Sequence, residues 1–345
     1  MFVLRPACVH DLPAIERLAA ASPVGVTSLP ADRQVLLARI LASENSLAAE
    51  VGFRGEERYF FVLEDGQSGE LAGVCGLNAV AGFNEPFYSF RNESLVHASS
   101  ELGIVNHIHV LSLCHDLTAH SLMVSFYIRP DLAGTAESEL LSRARLLFAA
   151  NWPARFADTV VSAMLGVWDQ EQGSPFWDSV GRVYFGLDYH EAEALCGARG
   201  RKFLGELMPQ QPVYVPLLSD EAQAVMGEVG DDSLLPYDIL SREGFETENY
   251  IDIFDGGPIL LGRLSALYTV AASCVLAVEV VPLVGDGELF LLANQRLQGF
   301  RALVAPGVLV AGGLQLDSEA AAALGVRTGE CVRAVPLWQT PERSA

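Results

Sequence analysis

The chain has 345 residues, half of them hydrophobic, which is enough to bury a sizeable core over roughly two domains. Its 43 acidic residues against 22 basic ones give a formal net charge of −21. That excludes a nucleic-acid binder, which needs a basic face to displace counterions from phosphates, and it argues against an anionic membrane surface.

From the N-terminus, "FVLRP" reads as a short strand, followed by "HDLPAIERLAAAS" as a helix with Asp11 as N-cap and Pro13 in its first turn. No apolar leader or cleavage site precedes it, so a cytoplasmic location without a signal peptide is expected. "YFFVLED" and "ELAGVCGLNAV" flank the polar turn "GQSG" and form a hairpin. Residues 82–106 read as an irregular insertion rich in Asn, Phe and Ser. "HIHVLSLCHDL" and "SLMVSFYI" are the next strands, and a helix starts near Ala136, with Leu140, Ala144 and Leu147 on one face.

"TVVSAMLGV" is another strand. "SPFWDSVGRVYFG" reads as a Ser-capped helix ending near Gly181 and then a strand. "DEAQAVMGEV" opens a helix at about Asp220, and "PYDILSREGFETENYIDIF" is a helix, a Gly stop and a strand. The stretch 267–284 is the most apolar, but only twelve residues precede Glu279, too few for a membrane span, so it reads as buried strands. Residues 259–345 read as a β-rich subdomain after a first domain of 1–258. "LDSEAAAALG" is its clear helix, capped by Asp317 or Ser318 and stopped by Gly325. The six cysteines are scattered with no close pair, the pattern of reduced thiols rather than of a disulfide or zinc framework.

A strand, helix and hairpin, then a long strand, helix, strand and "PFW" helix is the order of the GCN5-related acyltransferase fold. The motifs "GVTSLPAD", "EPFYSFRN", "LVHAS", "SPFW", "GELMPQQPVYVPLL", "EAQAVMGEV" and "NYIDIFDGGP" resemble, in order, the arginine N-succinyltransferase family. "SFRNE", "VLSLCHDL" and "FETENYIDIF" are more similar to the alpha subunit of the arginine/ornithine type than to the single-subunit type. The resemblance implies an α+β fold, a mixed sheet with helices on both faces. It implies transfer of succinyl from succinyl-CoA, a co-substrate rather than a bound cofactor, to the α-amino group of arginine or ornithine. It also implies a homologous beta-type subunit or a homo-oligomer. Such chemistry needs a base or water chain to free the amine, a donor for the oxyanion and an acid for the leaving thiolate.

Two departures stand out. In single-subunit members the turn after the long strand is rich in glycine and basic residues, which suits a pyrophosphate. Here the matching run is Ala133, Gly134, Thr135, Ala136, Glu137, Ser138, with Glu139 next. The site is weakened or lost, or the junction serves packing alone. The proton donor expected from the family is a histidine a few residues after "EAQ"; Gly230 stands there, and all seven histidines lie upstream. Phe126 matches the family's succinyl-CoA contact on the long strand, with Ile128 and Gly134 further along the same path.

His115 and Asp116, at a strand end beside Cys114, are the substitute base pair to consider, against a plain strand terminus. Thr27, Ser28 and Arg91 are candidates for a substrate carboxylate, against turn capping and surface pairing. Glu171 reads as a solvated loop acid. His107 and His109 share a strand face but lack a third ligand, so no metal is expected. Two function classes remain: a catalytic succinyltransferase chain, and a non-catalytic subunit supporting an active homologue. A free-standing binding module has only the C-terminal β region behind it.

Overall fold

The computed structural model describes residues 1–23, 26, 28–83, 86–169, 173–200, 202–282 and 287–338, with the side chains of 198 and 199 excepted. Thr27 and Glu171 lie outside the described residues.

β1 (Phe2–Pro6) leads to α1 (Leu12–Ala21) and α2 (Arg33–Ala48), and the hairpin β2 (Arg58–Asp65) and β3 (Leu71–Asn78) follows. Asp11 does not cap α1 through its side chain. Its carboxylate instead accepts from the Cys8 amide at 2.8 Å and pairs with Arg5. The true cap is on α2, where Asp32 accepts from the amides of Gln34 and Val35.

β4 (Ser89–Ser99) and the first residues of β5 (Ile104–Cys114) overturn the expected irregular insertion, while the rest of β5 falls on the expected strand "HIHVLSLCHDL". They pair over their whole length, from Ser89↔Cys114 to Ser99↔Ile104. Their distal halves are largely exposed, so no inward-facing alternation marks them in the sequence. β6 (Ser121–Ile128), α3 (Ala136–Asn151) and β7 (Thr159–Ala163) come next.

Short helices then cluster: α4 (Pro175–Ser179), α5 (Gly181–Phe185), α6 (Tyr189–Arg199) and α7 (Lys202–Leu207). The strand expected after Gly181 is therefore a helix. Its end is fixed by Gly186 at φ +66°, a left-handed cap that glycine takes without cost. The cluster packs around Trp177 against Phe90 and Leu111. β8 (Val213–Tyr214), α8 (Asp220–Val225), α9 (Leu234–Glu243), β9 (Glu246–Ile251), β10 (Pro258–Arg263) and α10 (Tyr268–Ala272) complete this part.

The long mixed sheet runs β1-β2-β3-β6-β7-β10-β9-β4-β5-β8. Period-two alternation loads both faces. Phe60, Val62, Val74 and Tyr127 face α1 and α2. Tyr59, Phe61, Cys75, Leu77 and Met123 face α3. α3 is buried along most of its length and carries two arginines into the core. Arg143 Nε donates to Glu243 Oε1 at 2.8 Å and Thr269 Oγ1 at 3.0 Å, tying α9 and α10 to α3. Its guanidinium lies 3.8 Å from the Trp338 ring.

The remaining strands are β11 (Cys274–Val281), β12 (Glu288–Asn294), β13 (Ala302–Val310), β14 (Gly313–Asp317) and β15 (Cys331–Pro336). They pair β12-β15-β11-β14-β13, and β13 pairs back onto β12. The five therefore close into a ring. Inside sit Val278, Phe290, Leu292, Leu303, Leu314, Leu316 and Val332, with α11 (Ser318–Leu324) packed against them. α11 is capped by Asp317 and stopped by Gly325 at φ +69°. The apolar run 267–284 is not buried strand throughout. It is α10 and then β11, in which only Val278 is fully buried. The ring joins the long sheet through β13 and β1, at Leu4↔Ala302. Among the described residues no helix is long and apolar enough to cross a membrane.

Candidate active site

β6 and β7 are parallel neighbours, yet they pair only over Ser121↔Val160, Leu122↔Val161 and Met123↔Ser162. Beyond Met123 the pairing stops, and β7 itself ends at Ala163. β6 is itself irregular at this point. Its register against β3 slips between Tyr127 and Val124, and Ser125 takes φ +57°. A left-handed non-glycine residue costs on the order of 1–2 kcal/mol, so it persists where surroundings fix it. Here the Ser125 amide donates to Ser28 Oγ at 2.9 Å and its hydroxyl donates to the Ser28 carbonyl at 2.7 Å. Arg39 Nη1, from α2, donates to Ser125 Oγ at 2.7 Å. Ser28, a sequence candidate, thus lies against the opening, and Ser125 and Arg39 join it without any motif having marked them.

Phe126 and Ile128 lie on β6 beyond its last pair with β7. Both side chains turn toward the α3 side of the sheet, Ile128 buried and Phe126 half-buried beneath the Arg145 guanidinium at 5.7 Å. They leave backbone groups rather than side chains to line the opening. The turn that follows carries Gly134 at φ +76° with open space around it. Thr135 caps α3 by accepting from the Glu137 amide, and its carbonyl accepts from the Ser138 and Glu139 amides. Three amides that a phosphate would use are already bonded within the helix start. The amides of Gly134 and Ala136 make no such bond.

The two acids of that turn differ. Glu139 is buried, accepts from Arg242 Nη2 and lies 3.7 Å from Arg143 Nη1, so its charge is compensated inside the protein. Glu137 is half-buried without such a pair among the described residues. Of the two, Glu137 is the like charge that remains beside any phosphate.

On the β7 side, the chain leaving β7 runs against residues 227–233. The Gly230 amide donates to the Leu165 carbonyl at 2.9 Å, the Leu165 amide to Ser233 Oγ at 2.9 Å, and Trp168 Nε1 to Asp232 at 3.1 Å. A Cβ on Gly230 would fall 2.2 Å from the Gly166 carbonyl oxygen. Gly166 and Gly257 are as tightly enclosed, by the backbone of Asp255 and of Met164. Position 230 therefore has no room for a histidine without a backbone shift. His190 on α6 meets the Trp168 ring edge-on at 6.1 Å, which brings a histidine near this segment that sequence reasoning did not single out.

Arg91 and Asp116 are brought together, at the base of the β4–β5 hairpin. Arg91 Nη1 pairs with Asp116 Oδ2 and its Nε with Glu93, while Tyr250 donates to Asp116 at 3.3 Å. Asp116 is thus committed to Arg91 and Tyr250, and it makes no hydrogen bond to the exposed His115. His107 and His109 lie on the exposed part of β5, His109 against Asn92 at 3.1 Å. Among the described residues no group of three His, Cys, Asp or Glu side chains is placed to hold a metal.

Comparison with known proteins supplies the remaining observation. Residues 2–269 match the family model described as arginine N-succinyltransferase beta subunit, and residues 273–336 match that of its C-terminal domain. The chain is 56% identical over 342 residues to the arginine N-succinyltransferase subunit alpha of Pseudomonas aeruginosa, covering 98% of this chain and 100% of that one. It is 38% identical over 338 residues to the arginine N-succinyltransferase of Salmonella paratyphi B, covering 98% of each. A solved structure, arginine/ornithine succinyltransferase subunit AI from Pseudomonas aeruginosa, superposes with a TM-score of 0.92 at 52% identity, covering 98% of this chain and 99% of that one. With both family models, full-length relatives and the fold in agreement, the chain belongs to the arginine N-succinyltransferase family.

Proposed function

We propose that the chain is the alpha-type subunit of an arginine N-succinyltransferase, which moves succinyl from succinyl-CoA to the α-amino group of arginine or ornithine. The neutral amine attacks the thioester carbonyl, the C–S bond breaks, an amide forms and the CoA thiol leaves with a proton. The observation that carries this is the end of β6–β7 pairing at Met123↔Ser162, with β6 running on to a turn into the N-terminus of α3. A parallel strand beyond its last pair has amides and carbonyls free to hold an extended pantetheine arm, and the helix start favours phosphate charge. A strand pair whose pairing ends before a turn into a helix start supports the reading of a GCN5-related acyltransferase, and a cytoplasmic enzyme working on free amino acids belongs to the same proposal. Phe126, Ile128 and Gly134 mark the path of the co-substrate by their backbone.

The proton steps fall to His115 or to His190 on this reading, since Gly230 has no side chain to offer. A second reading is favoured by the same fact: a chain that binds substrate weakly and supports a homologous beta-type subunit. Succinylation of arginine is measured with the purified chain, alone and with that subunit. The catalytic reading expects turnover that falls about 10²–10⁴-fold when the histidine acting as the acid is replaced by alanine. Turnover that appears only with the partner, and is untouched by both H115A and H190A, establishes the supporting role instead.

A further inference from the structure

Of the arginines that reach inward, Arg143 keeps Nη1 and Nη2 buried without a hydrogen-bond partner, against the Trp338 ring, and Arg39 is half-buried. Arg143 has Glu243 and Thr269, and Arg145 has the Ser142 carbonyl and hydroxyl and the Gly76 carbonyl. Arg155 has the Ser46 and Ala49 carbonyls and Tyr59. Arg39 has a single acceptor, Ser125 Oγ, and no carboxylate partner among the described residues. Among the described residues its Nε and Nη2 have no acceptor, and neither is sealed from solvent. Burial first, and the charge of Arg58 second, push its pKa down to about 10. Arg145 and Arg155 also lack a carboxylate among the described residues, but carbonyls and hydroxyls take several of their donors, whereas Arg39 has one acceptor.

Its position is as specific as its chemistry. Arg39 reaches from α2 to Ser125, two residues past the last β6–β7 pair, at the strained residue where β6 bulges away. Ser28 holds that residue from the loop before α2. We propose that Arg39, set in place by Ser28 and Ser125, anchors a ligand carboxylate at the mouth of the β6–β7 opening. The carboxylate is either the distal one of a dicarboxylic acyl group or that of an amino-acid acceptor. The identity of the ligands rests on the acyltransferase reading above; the anchor itself rests on the free guanidinium and its place. A planar fork with two free donors suits a carboxylate bidentately, and a bound carboxylate relieves the repulsion from Arg58.

The test is titration calorimetry of the purified protein with two pairs of ligands. Succinyl-CoA is compared with butyryl-CoA, which has the same chain length without the distal carboxylate, and arginine is compared with agmatine, which lacks the α-carboxylate. In the parent protein the carboxylate-bearing member of one pair binds more tightly. R39M is expected to weaken that member about 10–100-fold and leave its carboxylate-free analogue within about twofold. The pair that responds identifies the source of the carboxylate. R39K, which keeps the charge and loses the fork, is expected to fall between; if R39M melts early, R39K alone decides, by a several-fold loss confined to the carboxylate-bearing ligand. Equal weakening of both members of each pair, or no weakening, overturns the anchor and leaves Arg39 as a tether between α2 and β6. A parent protein that binds none of the four overturns the acyltransferase reading itself, a result seen before any variant is made.

Discussion

Gly230 gives the sharpest test of how position and chemistry are divided here. Replacing it with alanine puts a Cβ 2.2 Å from the Gly166 carbonyl oxygen and 2.9 Å from its carbonyl carbon. Both are backbone atoms, so neither can rotate aside. Relieving the overlap costs about 1–3 kcal/mol, as overpacking generally does. Pushing the two segments apart also stretches the bond from the Gly230 amide to the Leu165 carbonyl, worth about 1 kcal/mol. The unfolding entropy of a chain this long is on the order of 0.7 kcal/mol per kelvin, so G230A is expected to lower Tm by about 3–6 °C. Differential scanning calorimetry reads it, with G52A as control, since a Cβ there meets nothing within 4 Å. G230H should be worse than G230A and should not create activity. A G230A melting point within a degree of the parent, or a G230H that gains turnover, would refute the reasoning and show that this segment yields easily.

Four more outcomes follow from the same coordinates. E137Q should tighten CoA binding a few-fold by calorimetry at low salt, whereas E139Q should not, because Glu139 already answers Arg242 and Arg143. E243A should cost about 3–5 kcal/mol in thermal or denaturant unfolding, by leaving Arg143 charged and buried; the double variant R143M/E243M should recover most of it. Asp11 is raised by burial, but Arg5 and the Cys8 amide outweigh that and hold its pKa below the usual carboxylate range. Its stabilisation is therefore full above about pH 3.9 and fades as pH falls through the lower folded value. The parent should lose more stability than D11N between pH 5 and pH 2, and equal losses would show that Asp11 titrates as an ordinary carboxylate. Thr135→Ala should lower stability by about 1 kcal/mol, as loss of an N-cap does, with Tm as the readout.

What the sequence revealed and what it hid divide along physical lines. β6 is legible to the residue, because "SLMVSFYI" is an apolar run of strand length, although the bulge at Ser125 breaks its alternation. The ends of α3 and α11 are legible because Thr135, Asp317 and Gly325 announce them by local chemistry. β5 is read from residue 107 on, but β4 and the outer part of the hairpin are hidden, since that part buries neither face and so carries no period. "GRVYF" has strand-like residues, yet Trp177 and the left-handed Gly186 make it a helix, a tertiary override of propensity. The candidate site divides similarly. Ser28 is found from its motif, but Ser125 and Arg39 matter only because of a bulge and a missing counter-ion, and neither leaves a mark on the one-dimensional pattern. Gly230 is visible as a departure from the family, while the reason no side chain can replace it is visible only in space.

The closing of β11–β15 into a ring has a consequence for how these chains behave in a crowd. A ring has no terminal strand, so that end of the sheet offers no template for another chain. At the opposite end the last strand, β8, has two residues, too few to seed a ladder. One stretch of backbone open to recruitment is the outer half of β4 and β5, where β9 pairs only with Phe90 and Arg91, and β8 only with Val110 and Leu111. That stretch exposes Val96, Leu102, Ile104 and Val105. Any strand exchanged between copies of this protein, in assembly or in aggregation, would be added there, and a single lysine placed along that rim is the smallest change that would discourage it.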